Sequence, residues 1–265
     1  MRTLLATLTA AALLAPLSLD AQDYRWSGRL AAGKEIEVVG VVGDIRAVAA
    51  SGNSVEVVGE VRDGRVLPVR VIEHEDGVTL CVVYPTRSNS RSTGRGNGSG
   101  SGRCRQEGSI VNNPPRMDFT VRVPAGVRFA GRTVQGDVRA EGMRGPVSAS
   151  TVSGGVDVQT SDVAEASSVS GNVRVSMGRL PRDGSLRFST VSGDVRLTLP
   201  ADAGAEVRAN TVSGEIDTDF PMRMEATSRG TGWVRVGQRV RGTIGRGGPE
   251  LEISTVSGDI ELRRR

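Results

Sequence analysis

Ser189-Thr190-Val191-Ser192-Gly193-Asp194-Val195, "STVSGDV", returns almost unchanged as "STVSGDI" over residues 254–260. Looser copies are "TVQGDVRA" from Thr133, "TVSGGVDV" from Thr151, "SVSGNVRV" from Ser168 and "TVSGEIDT" from Thr211, and "VVGDIRA" around Gly43 opens the series. Their glycines, Gly43, Gly136, Gly154, Gly171, Gly193, Gly214 and Gly258, are read as structural repeat positions. From Gly136 onward they lie 18, 17, 22, 21 and 44 residues apart. The last interval is about two units, which predicts a degenerate copy within "GWVRVGQRVRGTIGRGG". A unit of this size cannot bury an apolar face alone, so a recurring period predicts units stacked on one another.

Inside each unit the period is two, the period of a strand. Val191, Gly193, Val195, Leu197 and Leu199 share one parity, and Thr190, Ser192, Asp194, Arg196 and Thr198 share the other. If Ser192-Gly193 were a two-residue hairpin turn, Val191 and Val195 would face opposite sides of the ribbon. The preferred reading is therefore a strand that continues through a kink at Gly193, with Val191 and Val195 toward one core and Ser192 and Asp194 toward water. Upstream strands such as Leu186-Arg187-Phe188 are offset by one parity from the motif that follows, always at Ser-Thr or Asn-Thr. A slip at a fixed place predicts a corner or bulge there, at Thr190 and its counterparts. The fold class is all-β, a β-solenoid or β-helix-like stack of short repeated strands, with an elongated β-sandwich as the alternative. Aromatic residues are 3% of the chain, so the core must be built from small β-branched side chains.

The opening "MRTLLATLTAAALLAPLSLDAQ" reads as a signal peptide over residues 1–21. No other stretch approaches the ~20 apolar residues of a membrane helix, so no transmembrane segment is expected in the mature chain. Residues 22–126 form an N-terminal β section and residues 127–265 the tandem repeat section, continuous as one elongated domain. Cys81 and Cys104 are an even pair in an exported chain and predict a disulfide. They bracket a Ser/Gly/Arg-rich loop, disordered over about residues 86–103, which has nothing to bury. The net charge is +4, carried by Arg, since Lys34 is the only Lys. Arg87, Arg91, Arg95, Arg103 and Arg105 cluster around this loop and are candidate contacts for an anionic partner, against the plainer reading of a solvated loop.

The polar residue after each glycine is Asp44, Asp137, Gly155, Asn172, Asp194, Glu215 or Asp259. Stacked rungs would bring these into a ladder that could bind calcium through oxygen or supply paired acids for glycoside hydrolysis, whereas the simpler reading has them facing solvent at a backbone bend. Ser153, Ser170, Ser192, Ser213 and Ser257 have no evident base, because His74 is the only His. His74 is read as an exposed strand or turn residue, and Trp26 and Trp233 as packing or cap residues. No catalytic residue, cofactor or metal site is assigned.

The chain resembles the bacterial "putative adhesin" family with β-strand repeats, an exported domain of unknown function. The likeness rests on Gly40-Val41-Val42-Gly43-Asp44-Ile45, on Val121-Arg122-Val123-Pro124-Ala125-Gly126 and on the tandem motif, from about Leu30 to Leu262. It implies a β-solenoid-like exported domain, with adhesin a name by analogy. The function expected is non-enzymatic: adhesin-like binding or a structural role in the envelope. An envelope signalling or stress-response accessory is the alternative, and a polysaccharide-active enzyme on a β-solenoid ranks lower. The partner expected is a cell-surface polymer or envelope protein, with no specific nucleic acid, and the location periplasmic, cell-surface or secreted.

Overall fold

The computed structural model describes residues 23–62, 67–84, 86–87, 104, 109–110, 114–224 and 238–265. Among them every regular element is a strand, and the strands form a ten-stranded sheet, an eleven-stranded sheet and a two-stranded ribbon. Each repeat gives one strand to each large sheet and crosses between them through the TVSGD motif. In the fifth rung, for example, Ser185–Ser189 lies in the second sheet and Val195–Leu199 in the first.

Seven rungs stack in this way. Strands Ile45–Ala49, Val138–Met143, Val156–Thr160, Val173–Met177, Val195–Leu199, Ile260–Arg264 and Ile216–Thr218 are neighbours in parallel, in that order. In the second sheet Glu35–Val39, Arg128–Arg132, Val147–Ser150, Ala164–Ser167, Ser185–Ser189, Glu250–Ser257 and Ala205–Ser213 do the same. The inward residues, such as Leu186, Phe188, Val195, Leu197 and Leu199 in the fifth rung, join a single buried cluster that runs through all rungs. Each buried Val, Leu or Ile contributes about 1.5–3 kcal/mol before entropy is counted. Thin rungs of Val and Ala suit this core, and Phe129, Phe188, Met143 and Met177 fill its wider places.

Both ends are closed by strands that bring in antiparallel pairing, although Met117–Val123 and Gly77–Val82 meet the first rung in parallel. Val55–Val61 lies between Tyr24–Gly28 and Met117–Val123 beside the first rung of the first sheet, while the hairpin of Val69–His74 and Gly77–Val82 covers the second sheet. At the other end Gln238–Ile244 runs antiparallel to Ala205–Ser213 and to Met222–Met224. This arrangement covers most ladder groups that an open stack would leave unpaired.

Two sequence expectations require correction. Val191 does not face the core: it is 44% exposed, whereas Thr190 is 4% exposed and points inward. The motif is itself the corner between sheets, so the parity counted along a continuous strand is reset within it. The expected degenerate copy does not appear among the described residues either. Residues 238–244 form an antiparallel strand between Ala205–Ser213 and Met222–Met224, and the part of "GWVRVGQRVRGTIGRGG" before residue 238 lies outside the described residues. The rungs, moreover, are not stacked in chain order. The C-terminal rung, Glu250–Ser257 with Ile260–Arg264, is inserted between the fifth rung and the rung of Ala205–Ser213 and Ile216–Thr218. The described part of the 44-residue interval between Gly214 and Gly258 therefore holds an end cap and a return.

Candidate interaction surface

The corner is built from contacts between successive rungs. Gly193 has φ of 144°, a backbone conformation unfavourable for a residue with a Cβ. A Cβ there would also fall within 3.0 Å of the Gly171 carbonyl one rung away. The same approach repeats from Gly136 onto Gly43, Gly154 onto Gly136, Gly171 onto Gly154, Gly258 onto Gly193 and Gly214 onto Gly258. Each glycine carbonyl accepts the buried hydroxyl of the next rung: Thr190 Oγ1 donates to Gly171 O at 2.9 Å and Thr255 Oγ1 to Gly193 O at 2.9 Å. Thr133, Thr151, Ser168 and Thr211 make the equivalent bonds to Gly43, Gly136, Gly154 and Gly258. A buried hydroxyl costs stability unless it is bonded, and this partner is why the motif begins with Thr or Ser.

The acidic position has a comparable role. Asp44 Oδ1 accepts the Asp137 amide at 2.8 Å, Asp137 Oδ1 the Gly155 amide at 2.8 Å, and Asn172 Oδ1 the Asp194 amide at 2.9 Å. Asp194 and Asp259 continue the ladder to Asp259 and Glu215. Asp118, outside the repeats, begins it by accepting the Asp44 amide at 2.8 Å. The side-chain oxygens at this position thus work as acceptors for a backbone N–H of the next rung, with a break at Gly155. Among the described residues no group of three or more His, Cys, Asp or Glu is placed to hold a metal ion.

Tyr84 closes the glycine column at its first rung. Its hydroxyl accepts the Val41 and Val42 amides, both at 3.0 Å, where the flanking parallel strands Gly77–Val82 and Met117–Val123 supply no TVSGD corner. Burial pushes its pKa up. Neither Tyr84 nor Asp118 is legible as a cap from sequence, because each acts on a residue more than forty positions away.

What the corner leaves outward is a line of valines. Val134, Val152, Val169, Val191, Val256 and Val212 are each between 41% and 51% exposed and occupy one position on successive rungs. Beside them run the exposed serines Ser153, Ser170, Ser192 and Ser257, linked by backbone bridges. Strand spacing sets about 4.8 Å between rungs, so the ridge is a regular apolar edge. The sheet faces, by contrast, carry paired charges. Arg196 forms a forked pair with Glu261 at 2.7 and 2.8 Å, and Arg263 also reaches Glu261, at 2.9 Å. These bonds hold the Glu261 carboxyl at about 2. The Arg264 amide and the Arg263 guanidinium hold Asp219 below the usual carboxylate range.

The remaining predicted positions are scattered. Cys81 and Cys104 are bridged, with their Cα atoms 5.5 Å apart. Arg91, Arg95, Arg103 and Arg105 lie outside the described residues, and Arg87 is described only as backbone in the ribbon of Thr86–Arg87 with Ser109–Ile110. His74 is half-buried, not exposed, with Nε2 3.1 Å from Thr79 Oγ1, at the end of the molecule away from most repeat serines. Trp26 packs against the core and Trp233 lies outside the described residues. No described helix is long and apolar enough to cross a membrane.

The fold defines a class: a parallel, two-sheet β-solenoid-like repeat with antiparallel caps. The chain belongs to the Toastrack DUF4097 family, whose model matches residues 127–263. Two solved structures are similar in outline. One is a "putative cell adhesion protein" from Clostridium sporogenes, 10% identical over 92% of this chain and 100% of that one, with a TM-score of 0.48. The other is a "putative adhesin" from Bacteroides fragilis, 13% identical over 92% of this chain and 97% of that one, with a TM-score of 0.35. At these values neither likeness bears on what this chain binds. No curated protein matches the sequence.

Proposed function

We propose that the protein is a non-enzymatic extracytoplasmic binding module of adhesin-like type, and that the valine ridge is its contact edge for a cell-surface polymer or envelope protein. The observation that carries this reading is the division of labour in the motif. Thr, Gly and Asp are engaged between rungs, while Val is turned to solvent at the same place in six successive rungs. A contiguous exposed apolar strip on a folded chain is a common mark of an interaction site. The Cys81–Cys104 bridge supports an oxidising compartment.

The test is retention of the purified protein on whole cells, peptidoglycan and anionic glycans. Replacing Val152, Val169, Val191 and Val256 by Thr keeps strand propensity and removes the apolar edge. Loss of retention with unchanged circular dichroism is expected. If the wild-type protein is retained on none of these surfaces, or the four-site variant is retained as well as wild type, the ridge is not the contact edge. Turnover in a glycan-release assay would overturn the non-enzymatic assignment.

A further inference from the structure

On the side of the stack away from the TVSGD corners, an open cleft of about 870 Å³ lies between the connections 178–182, 200–204 and 245–249. Its origin is the inserted C-terminal rung. The chain leaving Leu199 must pass over that rung to reach Ala205, while the chain leaving Ile244 turns back to enter it at Glu250. Connections that diverge around a strand leave a gap between them, the geometric cause of ligand crevices where strand order reverses in open α/β sheets.

The walls of the gap are held by backbone on backbone. A Cβ on Gly204 would fall within 3.0 Å of Gly247 O, and one on Gly248 within 3.0 Å of Gly204 O. Pro181, Pro200 and Pro249 stiffen the same walls. Little ordering is left for a ligand to impose, which favours binding.

The charge is lopsided. Arg179, Arg182, Arg246 and Arg264 line the cleft, with Asp202 as its one acidic lining residue. Arg179 is paired with Asp162 at 2.6 Å. Arg182, Arg246 and Arg264 show no acid within ion-pair distance among the described residues, unlike Arg187, Arg196, Arg208 and Arg263 on the sheets. Guanidinium groups match the oxygens of phosphate with two parallel bonds each. A single carboxylate brings one charge and two oxygens, too few for three guanidinium groups without an ion-pair partner among the described residues, beside one acidic residue. A phosphate monoester brings nearly two charges and three terminal oxygens, and the volume leaves room for the group that carries it.

We propose that this cleft binds a phosphate monoester, free or as a lipid headgroup, through Arg182, Arg246 and Arg264. The proposal does not rest on the valine ridge, and the four-site valine variant is expected to keep this binding. Calorimetry with glycerol 3-phosphate, and co-sedimentation with phosphatidylcholine vesicles with and without phosphatidic acid, separate the two sources. Binding of the soluble ester identifies a free ligand, and binding of the phosphatidic acid vesicles alone identifies a headgroup. Arg182→Gln, Arg246→Gln and Arg264→Gln should each weaken binding by about tenfold, the size expected for one charge-assisted contact. Arg187→Gln, on the sheet face, should leave it unchanged, and thermal melting checks that the variants fold. Absence of binding in both arms overturns the proposal. So does equal binding by wild type and the triple variant.

Discussion

Valine and threonine occupy the reverse of the places that a two-residue period assigns them. Alternation is a reliable guide only while the chain stays in one strand, and a slip of one residue flips every later side chain. Between Ser189 and Val195 the chain changes sheets, so Thr190 turns inward and Val191 outward, and Val195, Leu197 and Leu199 then resume the inward alternation. A second consequence concerns Gly155, the one acidic-position residue without a side chain. Asp137 Oδ1 accepts the Gly155 amide, but Gly155 offers no acceptor to Asn172 on the next rung. A Cβ there would meet Asn172 O at 3.6 Å and Asp137 Oδ1 at 3.8 Å, ordinary contacts, and the backbone carries no left-handed φ. Gly155→Asn should therefore stabilise the protein by about 1 kcal/mol, from reduced unfolded-state entropy and one restored bond. A higher urea midpoint at unchanged slope is expected, and an unchanged or lower midpoint would show that the ladder has no energetic role there. The tandem spacing, the strand period and the fold class were legible in the sequence. The facing of Val191 was not, because parity carries no mark of where a strand ends.

Single strands reveal a different limit. The segment 238–244 has the alternation of a repeat strand, yet it pairs antiparallel with Ala205–Ser213 as a cap, since its Gly242 and Thr243 stand in the reverse of the Thr-Val-Ser-Gly order that stacks at the corner. Strand Ile260–Arg264 shows how charge fixes a strand in the stack. Glu261 sits between Arg196 of the neighbouring rung and Arg263 two residues on, and these bonds lower its pKa from 4.5 to about 2. A carboxyl whose pKa is lowered in the folded state binds its proton more readily when unfolded. Its contribution is present above about pH 4.5 and is lost as pH falls toward 2. Partial exposure and solvent screening limit that contribution to about 1 kcal/mol. Glu261→Gln should accordingly be less stable than wild type near neutral pH, and the gap should close in acid. Urea unfolding of both proteins across that range measures it, and a gap that persisted at low pH would assign the loss to packing.

At the scale of the whole molecule the decisive feature is the order of the rungs. A solenoid that grows in chain order could lose its last rung and keep the rest, because each rung touches only its neighbours. Here the last rung in sequence is the penultimate one in space, and Ala205–Ser213 reaches the stack through Glu250–Ser257. Leu251, Ile253, Ile260 and Leu262 of that rung are fully buried. At about 1.5–3 kcal/mol each, their gross contribution is comparable with the whole net stability of a typical domain, about 5–15 kcal/mol. Truncation after Pro249 should therefore strip hydrogen-exchange protection from Ala205–Ser213 and Gln238–Ile244 together, and reduce it in Val195–Leu199. The rungs from Glu35–Val39 to Ala164–Ser167 should remain protected. If Ala205–Ser213 instead kept its protection by closing directly onto Ser185–Ser189, the stack could re-register around a missing rung. That outcome would make the inserted rung dispensable, since the same corner geometry serves any pair of neighbours. Loss of protection would mean that the distal end docks only after the C-terminal rung is in place, so that completing the stack requires long-range pairing, the slow kind of contact to form.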